Sequence, residues 1–207
     1  MTSPARLVHS ARLVHLAQLP HLARRFFGSL RPGGPSPAEV AWVSGHLSRS
    51  EFVIWDQMSD PDQRHSVEVA RAVEAEVADR DRRDPNWSSL TAMELDSVEH
   101  RRQAMVAAAL LHDSGKNAAG LATMARVGAT VIRPLLDPNT IVRWASEDGV
   151  RQRLALYWRH PELGSAALEQ ARSHPLVVRW AAEHHLPSNR WTVAPELGEI
   201  LSSCDND

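Results

Sequence analysis

The sequence predicts an all-α fold, a helical bundle around one buried central helix that ends in a His-Asp pair, and three observations carry that reading. From about residue 38 onward apolar residues recur three and four apart, with little of the period-two alternation that marks strands. Glycine and proline clusters fall between these periodic stretches rather than inside them. The segment "AMVAAALL", residues 104–111, is apolar on nearly every side, as expected of a helix surrounded by others.

The chain has 207 residues, enough for one domain with a sizeable core and a tail. Residues 1–37 read as a basic N-terminal tail and linker. "ARLVH" occurs at 5–9 and again at 11–15, and five arginines precede Glu39, the first acid. Arg6, Arg12 and the histidines interrupt any apolar core of an export signal, and Pro20 breaks a surface-lying helix. "RPGGPSP", residues 31–37, cannot continue a helix and serves as the linker. Residues 38–207 form the helical domain. Its helices are expected near 38–47, 50–58, 62–79, 99–113, 118–132, 138–147, 151–158, 162–172, 175–185 and 195–205. "DRDRRDPNWSS", residues 79–89, reads as a charged surface loop, and "RPLLDPN", residues 133–139, as a second break.

Composition narrows the function. Net charge is −2 with acids and bases interspersed, so no basic face advertises DNA or RNA. The single cysteine, Cys204, rules out an internal disulfide and a cysteine cage for zinc, and suits a reducing, cytoplasmic setting. No apolar run approaches the roughly 20 residues of a transmembrane helix. Oligomeric state is not legible.

The chemistry gathers around "ALLHDSGK", residues 109–116. The most apolar helix closes on His112 and Asp113. A buried carboxylate is costly unless something positive pairs with it, and the negative end of a helix dipole adds to the cost. A divalent cation removes the conflict, and imidazole beside carboxylate is a mixed donor set suited to Mn, Fe, Co, Zn or Mg. His65 shares a helical stripe with Val69, Ala72 and Val73. In "RWAAEHHLP", His184 lies on the face of Val177 and Trp180, while His185 continues the line through Ala181; both rings inward, or one in and one out, fit the pattern. His160 precedes a proline at a helix start. Asp205 lies four after Leu201 and eight after Leu197. Taken singly, an inward histidine is more often a hydrogen-bonded core residue than a ligand, and Asp205 near the chain end reads as solvated; converging on one helix they read as a metal site. His46, His100 and His174 lack this context.

The ordered set His65, His112-Asp113, His160, His184-His185, Asp205, with "LLHDSGK" close to an HDxGK signature, resembles the HD superfamily of metal-dependent phosphohydrolases, including its compact bacterial members, over about residues 50–207. The resemblance implies that His65, His112, Asp113 and Asp205 are primary metal ligands. It implies that His160, His184 and His185 match the extra histidines of members binding a second ion, with Asp113 as bridge, and that Lys116 faces a substrate phosphate. Arg64 and Arg159 are further candidate phosphate contacts, or equally surface salt-bridge partners. The activity implied is hydrolysis of a small phosphorylated substrate, a nucleotide or similar metabolite, by hydroxide formed on one or two divalent ions. A non-catalytic metal- and nucleotide-binding sensor of the same fold is the alternative. Ser114 stands where the signature often has isoleucine or valine. "LPSNRW" after His185 lacks the glycine-tyrosine-proline element of the cyclic-di-GMP-cleaving branch.

Overall fold

A computed structural model describes residues 33–84, 87, 98–121, 125, 128–129, 132–133 and 136–206. Residues 1–32 of the expected tail and linker, 1–37, and 122–124, 126–127 and 130–131 of the expected helix 118–132 lie outside the described residues. Within them the chain is helical, without strands.

Helix α1 (Pro37–His46) and α2 (Arg49–Asp56) each begin on a serine that accepts the backbone N–H three residues on, while a glutamate there reaches back to the serine N–H: Ser36 with Glu39 and Ser48 with Glu51. Helix α3 (Asp60–Arg83) is the longest. The central α4 (Val98–Leu111) follows, then a 3-10 turn (Ser114–Ala119). Next come α5 (Pro138–Ala145), α6 (Val150–Trp158), α7 (His160–Gln170) and α8 (Pro175–Glu183). A short 3-10 turn (Ser188–Arg190) leads to α9 (Pro195–Asn206).

Helix α4 packs against α3, α8 and α9, with α1 and α2 adding lesser contacts. Every residue from Ala104 to Leu111 is buried. Four of them are alanines, which let neighbouring helices approach closely, while Met105, Leu110 and Leu111 fill the space between. Trp55 and Trp180 close the core at its flanks, Trp55 donating its indole N–H to Ser66 at 2.9 Å.

The charged stretch after residue 79 corrects the expected loop. Helix α3 continues to Arg83 because its charges pair along the helix: Arg80 with Glu76, and Arg82 and Arg83 with Asp79. Three arginines in the last turn also complement the helix dipole. Asp81 meets the buried Arg101 of α4 at 2.5 Å, and Trp87, itself buried, lies beneath the guanidinium groups of Arg80 and Arg101. The expected helix over 99–113 ends two residues sooner, at Leu111, since the backbone tightens into the 3-10 turn at the His-Asp pair. Of the break at 133–139, Asp137 caps α5 by accepting the Thr140 N–H at 3.0 Å, with Pro138 at the first helical position.

Candidate metal centre

Five parts of the chain deliver polar side chains to the end of α4: His65 from α3, the His112-Asp113 pair, His160 at the start of α7, His184 and His185 just past α8, and Asp205 from the last turn of α9. Asp113 has φ −97° and ψ 4°, between the helical and extended regions, a conformation frequent at functional sites. Gly120, with φ 55°, ends the following turn in the left-handed region that glycine adopts readily.

The donors form two groups that share Asp113. His65, His112 and Asp113 each place one ligand atom within 4.8 Å of the others, as do Asp113, His160, His184 and His185. Asp205 joins the first group, its Oδ1 lying 2.8 Å from His65 Nε2 and 3.6 Å from His112 Nε2. Asp113 Oδ2 is 3.4 Å from His112 Nε2; Asp113 Oδ1 is 3.4 Å from His160 Nε2 and 3.6 Å from His184 Nε2. Atoms bound to one ion at about 2.0–2.2 Å lie roughly 3–4 Å apart, close to the 2.8–3.6 Å of these pairs.

Hydrogen bonding sets the tautomers. Nδ1 of His112, His160 and His184 donates to the backbone carbonyl three residues earlier: Ala109 at 2.8 Å, Tyr157 at 2.7 Å and Ala181 at 3.0 Å. The neutral ring then carries its lone pair on Nε2, the arrangement that a carbonyl accepting from the other ring nitrogen gives metal-bound histidines. Those three Nε2 atoms are buried and face Asp113 oxygens at 3.4–3.6 Å, without a well-directed hydrogen bond. Buried polar nitrogens left unsatisfied are costly, and three aimed at one carboxylate fit a divalent cation.

Electrostatics agree with a site prepared for positive charge. Burial works against charge on His112, but the carboxylates of Asp113 and Asp205 outweigh it and raise its pKa. Burial would likewise raise Asp113, yet Lys116 and His112 hold its carboxyl well below the usual range. His184 is lowered, first by burial and then by His112, against the opposing pull of Asp113. His185, its ring centre 4.0 Å from that of His184, keeps part of its surface in water yet is also lowered, by the crowding that removes the rest and by His184.

The sign for metal binding follows. His112 keeps a proton to a pH above its ordinary value, and a metal ion binding there would have to displace it, so apparent affinity should rise with pH up to that raised pKa, by about tenfold per unit for one proton. Competition titrations of zinc at acidic and neutral pH check this; affinity that is flat or falls with rising pH would remove His112 from the ligand set.

Two supports were not legible in the sequence. Gly115 lies against α7 so closely that a Cβ there would meet the His160 carbonyl oxygen at 2.0 Å and the Gly164 nitrogen at 2.6 Å. This contact seats His160 over Asp113, and its only sequence trace is Gly164 four residues after His160. Glu183, buried beside the His184-His185 pair, accepts the Thr192 N–H at 2.7 Å, the Thr192 hydroxyl at 2.5 Å and the Val193 N–H at 3.3 Å. It thereby ties the loop leaving α8 back onto that helix.

Lys116 is largely buried and its Nζ pairs with Asp113 Oδ2. Arg159 pairs instead with Glu162 at 2.8 Å on the surface, and Arg64 is half-buried beside His65 on α3. His174 caps α8, accepting the Leu176 N–H at 3.1 Å, while His46 bonds the Trp42 carbonyl and His100 is exposed. No helix among the described residues is long and apolar enough to cross a membrane. In comparisons with family models, curated proteins and solved structures, nothing matches the chain.

Proposed function

We propose that the chain is a metal-dependent phosphohydrolase with an HD-like helical bundle, acting on a small phosphorylated metabolite such as a nucleotide. The observation that carries this reading is the convergence of three buried, unsatisfied Nε2 atoms on Asp113. His65, His112, Asp113 and Asp205 would hold one divalent ion, and Asp113, His160, His184 and His185 a second. Bound ions supply Lewis acidity and lower the pKa of water towards about 7.

The chain's own groups do the remainder. Asp113 presents an oxygen to each group of histidines, so one carboxylate serves both. The carbonyls of Ala109, Tyr157 and Ala181 keep the imidazoles in the tautomer that ligates. Lys116 offers a positive charge to non-bridging phosphate oxygens where negative charge grows.

The test is an assay of purified protein against a panel of phosphorylated metabolites, with Mn, Mg, Fe, Co and Zn each supplied in turn. Phosphate release that chelation abolishes is expected. Release unaffected by thorough chelation would refute the reading, and metal binding without turnover of any panel member would leave the sensor.

A further inference from the structure

We propose that Lys116 is an internal cation: its ammonium holds the Asp113 carboxylate until a divalent ion arrives, and the ion's binding drives it off. The inference rests on the metal-site reading above. Lys116 is the one lysine in a chain that uses arginine at 22 positions. Its Nζ sits on Asp113 Oδ2, the same oxygen that faces His112 Nε2 at 3.4 Å. The first group of candidate ligands therefore already contains a monovalent charge against its central carboxylate. An ammonium and a divalent ion on one oxygen repel strongly where water is scarce, and the Asp113 side chain is only 2 % exposed.

The residue type and its setting suit exchange. An ammonium is a compact point charge on a flexible four-carbon stem, whereas guanidinium is a rigid planar fork that prefers to stay bidentate on a carboxylate. The backbone beneath is fixed: the Lys116 N–H bonds the Asp113 carbonyl at 3.1 Å, and Gly115 is pressed against His160. Motion is thus confined to the side chain, which is 11 % exposed and has an outlet to solvent. Pairing with Asp113 and contacting a phosphate are alternative uses of one ammonium. Metal loading then releases the group that greets the substrate, so the anion contact forms only on loaded protein.

A single lysine makes the test clean. The full chain, stripped with chelator or saturated with Mn2+ or Zn2+, is treated with formaldehyde and cyanoborohydride, and dimethylation at Lys116 is followed by peptide mass spectrometry. Saturation should accelerate modification several-fold. Lys116→Met should bind Zn2+ several-fold more tightly than the parent in calorimetry. Metal binding with unchanged or slowed methylation overturns the exchange and spares the metal site. Unchanged or weaker Zn2+ binding by the methionine variant overturns it too, whereas a parent chain that binds no metal overturns both readings.

Discussion

Asp113→Asn should lower metal affinity by about 100-fold or more and reduce phosphate release by at least a comparable factor. Asparagine keeps the shape of the side chain but removes the charge that both groups of histidines face. The variant should also be less stable than chelated parent, by about 1–3 kcal/mol, because Lys116 loses the carboxylate it pairs with and must turn towards its solvent outlet. Urea unfolding in chelator and zinc calorimetry separate the two effects. Adding Lys116→Met to Asp113→Asn should restore much of the stability and none of the metal binding. Full metal retention by Asp113→Asn alone would defeat the proposed ligand set.

Gly115→Ala should act through backbone geometry rather than charge. A methyl placed 2.0 Å from the His160 carbonyl oxygen cannot be absorbed by a side-chain rotation, since both obstructing atoms belong to the α7 backbone. Helix α7 must retreat, at a cost of about 1–3 kcal/mol or more, and carry His160 with it. Misplacement of about 1 Å is enough to lower turnover roughly 100-fold. The expected pattern is a lower urea midpoint, loss of the ion bound through His160, and retention of the ion bound through His65 and Asp205. Gly45→Ala is the control: nothing lies within 4 Å of its added Cβ, so stability should be unchanged or slightly higher. Equal behaviour of the two variants in unfolding and in metal stoichiometry would show that the Gly115 seam does not position the site.

Much of the helical layout was readable because local chemistry specifies it. Apolar residues three and four apart place helices near 38–47, 50–58 and 138–147, and α1, α2 and α5 occupy those stretches. The all-apolar run to Leu111 correctly marks the most enclosed helix. His65, His184, His185 and Asp205 on apolar stripes, the His112-Asp113 pair closing the apolar helix and His160 before its proline are brought together at the end of α4, since a polar side chain on a buried face must find partners. What stayed hidden depends on tertiary approach. Charge density suggested a loop after residue 79, but pairs along α3 and the buried Arg101 carry the helix to Arg83. Gly164 and Glu183 look ordinary in sequence because their importance lies in a neighbouring backbone and in N–H groups nine or ten residues away. Arg159 stood beside His160 yet points to Glu162, as successive residues on a helix project in different directions.

The contact between His65 and Asp205 joins positions 140 residues apart. Bringing such distant points together from a random coil carries a large loop-closure entropy, which the intervening helices must first offset by docking. The cradle should therefore be a late product of assembly, and a cation binding there would meet scaffolding already raised and act by resisting disassembly rather than by starting construction.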